Sequence, residues 1–522
     1  MWNLIHTLQP SSYCKSLQCK RLLCSPIACL PPEILSYIFR LYLLPLNEQI
    51  HTSSLGVQSP SSLAQVCRIW KAIIESDPYL WASICFYFPK DVQKRLKEDE
   101  RRIPHIVDLH VKFSGTLPLS FAFTHLCDRT ESTTTVIDLL ENRLREHSRR
   151  WKRISLHMGS DYITILLGSM QYDLSSLEHV YIHNDFRLCS RPTPYLNLKS
   201  ATNLKSFTSN EFFYGISTGD LHWRRLVEAS FDFAPKDICL LSQKCSLLMD
   251  CRNVVTCSLG LHESHDRMWH TIVPSIITFP RLQTLRVRRL VRKTNTSIVR
   301  RLNLPRLKTL EIDSRRIVGS YKSWEHGVFS DLLDHSGCTL HHLSIRDVDF
   351  SNDELVRCLK LSPTLTSLCF IPYWRSHDIE DVIRKLDVSY AATELGDWQA
   401  HGQTDAGTDP LVPKLREITL ATSKERHLDS MMEMLRSRGG AHARAAGVAA
   451  LRRVEVVLFR KPWIQVMCRP RGWLKKLERF RENLEQWASA VEIEQEGRGG
   501  VVTKVGIRRA AEAKGKDQNG TG

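Results

Sequence analysis

Three groups of residues in this 522-residue chain are of types that perform chemistry. The first is Gly215-Ile216-Ser217-Thr218-Gly219, which reads G-x-S-x-G. That spacing exposes a serine on a tight strand-to-helix turn, where an acid and a histidine later in the chain would activate it. EFFY before it and DLHWRRLVE after it suit the strand and the helix. No doubly wound α/β pattern surrounds them, and strand-like words on either side already account for the segment. The second group is His262, Glu263, His265, Asp266 and His270. Its HESH core is not H-E-x-x-H, so one helix face does not hold two imidazoles four residues apart. The third is two regular cysteine sets: Cys14, Cys19, Cys24, Cys29, and Cys239, Cys245, Cys251, Cys257. Neither has the gaps of about two to four residues typical of structural zinc. No phosphate-cradling loop or dinucleotide fingerprint occurs. These residues assign no catalytic group, no metal ligand and no cofactor, and Ser217 remains a hydrolase candidate only for testing with an acyl-trapping probe.

The elements that would position such groups follow from the rest of the chain. Hydrophobic residues make up 42%, enough for a core, and the length suits two to four domains or one repeat array. Sixteen cysteines in a chain this long are too sparse for a disulfide scaffold and read as reduced thiols. No run reaches the ~18 apolar residues of a spanning helix. The N-terminus lacks a basic region followed by an apolar core and cleavage site. A soluble protein of the cytoplasm and/or nucleus is expected, with no membrane partner. The formal charge is +16, and residues 275–316 hold twelve Lys/Arg against two acids. Such basicity suggests acidic partners and says nothing about fold.

CLPPEILSYIFRLYLL, residues 29–44, opens the first folded element. Glu33 and Arg40 interrupt its apolar run. Ile34, Leu35, Ile38, Phe39 and Tyr42 fall on one helical face. Pro31 and Pro32 suit the first turn, and Glu33 favours the helix dipole. A second helical pattern runs through Leu63, Val66, Cys67, Trp70, Ile73 and Ile74, capped by Ser61 or Ser62 and stopped at Asp77-Pro78. Residues 30–81 thus predict a bundle of two or three helices, too small to be very stable alone.

LPPEILSYIF, SLAQVCRIWKAII and DPYLW, in that order and spacing, resemble an F-box of the form common among fungal F-box proteins. Leu30, Pro31, Glu33, Ile34, Leu35, Ile38, Phe39, Val66, Cys67, Trp70, Lys71, Pro78, Leu80 and Trp81 carry the resemblance. The loop over 46–60 is longer than in the compact motif. The resemblance implies a docking surface for the Skp adaptor of a cullin-RING ubiquitin ligase, formed by Leu30, Pro31, Pro32, Glu33, Ile34, Leu35, Ile38, Phe39, Val66, Cys67 and Trp70. An ordinary helical cap on another domain is the plainer alternative.

Beyond residue 81 short words of one shape recur, L-x-x-L-x-[LVI]. LQTLRV, LKTLEI, LHHLSI, LTSLCF and LREITL start at Leu282, Leu307, Leu340, Leu365 and Leu415. Their steps are 25, 33, 25 and 50, the last read as two steps of 25. Looser copies start at Trp151, Leu177, Leu204, Leu226 and Val254, and LRRVEV at Leu451 ends the series. The resulting period of 22 to 33 residues is read as the mark of leucine-rich repeats, whose units must stack to bury their apolar residues. DELVRCLKLS (353–362) and SWEHGVFSDLLDHS (323–336) read as intervening helices. LWASICF, IVDLHVKFSG and LPLSFAF read as strands, and VIDLLENRLREHSRRWKRISL as a helix leading into a strand. The expected fold class is an α+β repeat: a small helical F-box followed by an irregular α/β leucine-rich-repeat-like solenoid. The expected divisions are an irregular segment 1–28, the F-box 29–82, linking elements 83–150, the repeat domain 151–460, a C-terminal helical segment 461–495, and a disordered basic tail 496–522.

In each word the residues flanking the final aliphatic point away from the core. Arg286, Arg288, Glu311, Asp313, Arg346, Tyr181 and His183 are therefore candidates for binding a target on the strand face. Their charges are mixed, whereas a nucleic-acid groove is basic along its length. The expected function is substrate receptor of a Skp–cullin–F-box ligase: the helical bundle binds the adaptor and through it a cullin, and the repeats bind an unknown target protein. The alternative is a scaffold outside any ligase that binds protein or RNA through a basic face.

Overall fold

The computed structural model of the chain describes residues 27, 30–43, 60–88, 96–125, 142–159, 163, 172–183, 197–209, 223–233, 248–261, 276–288, 297–313, 327–348, 350–372, 379–388, 411–422, 426–459, 479–480, 482, 490–497 and 501–508. Two compact units are present: Met1–His179 with His183–Thr202, and Val180–Ile182 with Asn203–Gly522.

The first unit opens with helix α1 (Pro32–Leu43). The carbonyl of Pro31 accepts the first amide bonds, from Ile34 and Leu35. Proline at the first helical position loses no bond there, because that N–H has no partner in any helix. Helices α2 (Pro60–Ala64), α3 (Arg68–Ser76) and α4 (Pro78–Trp81) follow. The pattern that reads as one helix through Leu63 and Ile74 is two. Cys67 breaks it with extended backbone, and its Sγ accepts from Trp70 N at 3.5 Å to restart the next helix. Leu35, Phe39, Ile73, Ile74, Leu80 and Trp81 form the buried core of this bundle. Then come strand β1 (Ser83–Phe88), helix α5 (Leu96–Phe113), β2 (Leu119–His125) and β3 (Trp151–His157). All three strands pair in parallel.

IVDLHVKF is helical, not a strand. Its alternation of apolar and polar residues suggests period two. Burial follows the helical period instead: Val107 and His110 are buried, and Leu109 and Phe113 pack on the bundle core. Contact with the bundle outweighs the β-branched composition.

Strand β4 (His179–His183) has residues in both units. The second unit continues with β5 (Ser206–Ser209), β6 (Glu228–Phe233), β7 (Thr256–Leu261), β8 (Ile277–Thr278) and β9 (Thr284–Arg288). After these come α6 (Ser297–Arg300), β10 (Leu302–Asn303), β11 (Thr309–Asp313), α7 (Val328–Ser336), β12 (His342–Val348), α8 (Asn352–Lys360) and β13 (Ser367–Pro372). The unit closes with α9 (Glu380–Leu386), β14 (Glu417–Thr422), α10 (Arg426–Ser437), α11 (Gly440–Ala445), β15 (Arg453–Phe459), β16 (Ala490–Gly497) and β17 (Val501–Arg508). Its main sheet has the order β5-β6-β7-β9-β11-β12-β13-β14-β15-β17-β16. Strands β8 and β10 form a separate parallel pair.

The register explains the repeated words. Leu285 lies opposite Leu310, Leu310 opposite Leu343, Leu343 opposite Leu368, and Leu368 opposite Ile418. The first, fourth and sixth residues of each of these words are buried. Parallel strands need a crossover to return to the same edge. Helices α7 to α10 occupy crossovers and touch in succession. Glu354 of α8 ties two successive crossovers together by accepting from the amides of Gly327 and Phe329 at the start of α7. That start lies at Val328, later than the sequence pattern suggests, because Gly327 has a left-handed φ of +86°.

Two further readings are corrected. Strand β13 pairs directly with β14, so the 50-residue step from Leu365 to Leu415 is a single unit with α9 in its crossover. Residues 490–495 are strand rather than the end of a helical segment, and 496–497 and 501–508 are strand rather than tail. AVEIEQEG and VVTKVGIR form an antiparallel pair added to β15. Their period-two alternation is a strand signal, hidden in the sequence by the Gly-rich GRGG run and the basic composition around them.

Candidate functional site

The first surface is on the helical bundle. Helix α1 has two apolar stripes. Leu35 and Phe39 point inward, at 1% and 2% exposure, and Phe39 packs on Trp70 with ring centroids 4.7 Å apart. These two residues hold the helix to its bundle and have no surface left to offer a partner. That replaces the docking role expected for them. Ile38, Leu30 and Trp70 are half-buried, the last two against the same core. Pro31, Pro32, Glu33, Ile34, Val66 and Cys67 are exposed.

The second stripe is Ile34, Tyr37 and Leu41, exposed at 46%, 59% and 50%. At about 100° per residue it lies roughly two fifths of a turn from the buried stripe. Val66 and Ile69, at 60% and 57%, add apolar surface at the start of α3. Tyr37, Leu41 and Ile69 escape a reading based on the inward face alone. The i, i+3, i+7 spacing of Ile34, Tyr37 and Leu41 was the available signal.

A polar hub holds α1 against α4. Asp77 is buried and caps α4 by accepting from Tyr79 N at 3.1 Å. Arg40 donates to both its oxygens, Nε at 2.9 Å and Nη2 at 2.9 Å, and Ser36 Oγ also donates to it. The Arg40 guanidinium lies 4.6 Å over the Tyr79 ring. Burial pushes the Asp77 carboxyl up, but the bonds from Arg40, Ser36 and Tyr79 and the Arg40 charge together leave it below the usual carboxylate range. Behind the hub, Trp81 Nε1 donates to Ile74 O at 2.7 Å, and His110 Nδ1 donates to Trp81 O at 2.8 Å. Burial in this apolar setting drives the His110 pKa down to about 4 and keeps the ring neutral.

The second surface is the polar strand face of the second unit, a groove of about 540 Å³. Arg286, Arg288, Glu311, Asp313 and Arg346 all line it. Strand pairing puts Arg286 beside Glu311, and sets Asp313 between Arg288 and Arg346. Arg286 Nε reaches Glu311 Oε2 at 2.9 Å. Arg453, Glu417 and Glu455 complete the charged lining, four cations against four anions. The arginines here are matched by carboxylates across neighbouring strands, so this face is not a basic one. Burial pushes the Arg346 pKa down, but Cys369, Asp313 and Glu455 around it leave it raised. Tyr181 and His183 lie on β4, away from the groove lining, and His183 contacts His157 with ring centroids 4.6 Å apart.

The chemical candidates fare differently. Gly215–Gly219, the histidine cluster 262–270, Cys239, Cys245 and the cysteines at 14, 19, 24 and 29 lie outside the described residues. Cys251 and Cys257 are buried free thiols, and burial pushes the Cys257 thiol up to about 12. A thiol so raised is a small apolar side chain, not a nucleophile. Among the described residues no three His, Cys, Asp or Glu side chains are grouped to hold a metal ion. No helix among them is long and apolar enough to cross a membrane.

Residues 27–87 match the family described as F-box-like. The match spans the four helices, both apolar stripes and the Asp77 hub, and it supports an F-box protein. F-box proteins are generally non-catalytic adaptors in Skp–cullin–F-box ligases, and their F-box typically binds the Skp subunit. No curated protein matches the chain.

Proposed function

We propose that this chain is the substrate-recognition subunit of a Skp–cullin–F-box ubiquitin ligase. The exposed apolar stripe Ile34, Tyr37, Leu41 carries the reading. A helix that has already filled its core does not need a second apolar stripe, and such surface marks a binding site. The Skp-type adaptor covers that stripe together with Leu30, Pro31, Pro32, Glu33, Val66 and Cys67, and brings a cullin with it. The second unit is read as degenerate leucine-rich repeats forming an irregular solenoid, in the style of fungal F-box proteins. The in-register words and stacked crossovers support that reading. Its charge-balanced strand face, with Arg286, Arg288, Glu311, Asp313 and Arg346, suits a target protein of mixed charge. The subunit performs no chemistry itself. It holds a target beside the ubiquitin-charged enzyme and so raises effective concentration. A place in the cytoplasm and/or nucleus suits the cysteines that are free among the described residues.

The test is co-purification of the full chain with a Skp-type adaptor, wild type beside Ile34→Ala/Tyr37→Ala/Leu41→Ala. Each half-exposed side chain contributes about 1 kcal/mol on burial, so the triple variant loses about 3 kcal/mol, or roughly a hundredfold in affinity. Undiminished capture by the triple variant removes the basis for this reading.

A further inference from the structure

Parallel strands in register bring the start of every repeated word to one rim of the sheet. The second residue of each word is bonded through its backbone to the second residue of the next. The series runs unbroken from Val227 N on Lys205 O to Arg452 N on Arg416 O, with every bond between 2.7 and 2.9 Å. This rim includes the two residues before each word's first apolar residue and the one after it. Over the nine words from Leu204 to Leu451 those positions hold ten Lys/Arg and no Asp or Glu. Lys205, Lys308, Arg416 and Arg452 stand in the bonded row. Arg225, Arg281, Arg306 and Lys414 immediately precede the first apolar residue, and Arg224 and Arg252 stand one place further back. All ten are exposed. Arg252, Arg281, Arg306, Lys308, Arg416 and Arg452 make no ion pair among the described residues. The strand face differs: there each arginine faces a carboxylate, while the rim positions themselves hold cations and no carboxylate.

We infer that this rim docks an acidic segment of a partner protein. Strands about 4.8 Å apart place nine words over about 38 Å, the reach of an extended segment of about a dozen residues. The surface between the cations favours protein over nucleic acid. Val227 is 44% exposed, and Pro280, Pro305 and Pro363 are exposed beside the arginines. They offer apolar contact to side chains such as leucine. The same rim positions contain no Phe, Tyr or Trp. Single-stranded nucleic acid draws much of its binding from stacking on aromatic rings, and the rim provides no such platform. The inference does not rest on adaptor docking, which uses the other unit.

The test uses the full chain and a fluorescein-labelled twelve-residue peptide of alternating Glu and Leu, beside a twelve-nucleotide single-stranded RNA. Each is titrated at about 50 mM and about 250 mM salt, a range over which exposed charges become screened. Arg281→Glu/Lys308→Glu changes the rim. Arg357→Glu/Lys360→Glu, on the exposed side of α8, makes the same change in net charge elsewhere. Arg281→Gln/Lys308→Gln removes charge without reversing it. The peptide is expected to bind wild type and the α8 variant equally, to weaken several-fold in the Gln variant and roughly tenfold in the Glu variant, and to weaken with salt. No peptide binding, equal weakening by the rim and α8 variants, or RNA bound more tightly than peptide would overturn the inference.

Discussion

The Asp77 hub gives a prediction whose size follows from its geometry. Asp77→Asn keeps the shape and removes the charge. In the wild type a buried carboxylate accepts two bonds from Arg40, one from Ser36 and one from Tyr79 N. Exposed ion pairs contribute about 0–1 kcal/mol, while breaking a buried one costs about 3–5 kcal/mol. Here the carboxylate is buried and the guanidinium 45% exposed, so the expected loss falls between, near about 2 kcal/mol. The aspartate also caps α4, and an amide oxygen preserves most of that bond. Because the damage is local, the assay should be local: hydrogen exchange of the amides in α1, α3 and α4. A loss of about 2 kcal/mol raises their exchange roughly thirtyfold. Arg40→Met combined with Asp77→Asn should recover about 1 kcal/mol against the sum of the single variants. The pH dependence fixes the sign. The folded carboxyl has the lower pKa, so its contribution is present above the unfolded value near 3.8 and disappears as pH falls below it. Wild type and Asp77→Asn should therefore converge under acid. Exchange changed less than about twofold at neutral pH, or additive single variants, would refute the hub.

Two other outcomes follow from the packing. His110 is held neutral with a pKa of about 4, so between there and 6.5 the unfolded chain binds the extra proton and stability falls as pH falls, by up to about 3 kcal/mol. Exchange from α5 amides between pH 7 and 4.5 should show this, and His110→Gln should flatten it. Leu310 is fully buried between Leu285 and Leu343, so Leu310→Ala should cost about 2–5 kcal/mol, read as faster exchange in β9, β11 and β12 but not in the helical bundle.

The sequence alone determined the periodic parts. The words from Trp151 to Leu451 state their strands and their buried positions, because one backbone geometry and one apolar pattern recur in each. The three N-terminal blocks likewise state a helical bundle, since Pro31-Pro32, Cys67 and Asp77-Pro78 act on their immediate neighbours. What only the tertiary structure decided is which side each ambiguous element faces. IVDLHVKF has the alternation of a strand, and its contact with Trp81 makes it a helix. Helix α1 has apolar residues on two sides, and only the position of the bundle tells Leu35 and Phe39 inside from Ile34, Tyr37 and Leu41 outside. The cluster of arginines around residue 286 left a basic face open as the alternative, because the sequence places their carboxylate partners about 25 residues away. Parallel register brings Arg286 to Glu311 and, by the same operation, aligns separate single arginines into the rim. Charge compensation is a property of neighbouring strands, and neighbours in a parallel sheet are distant in the chain.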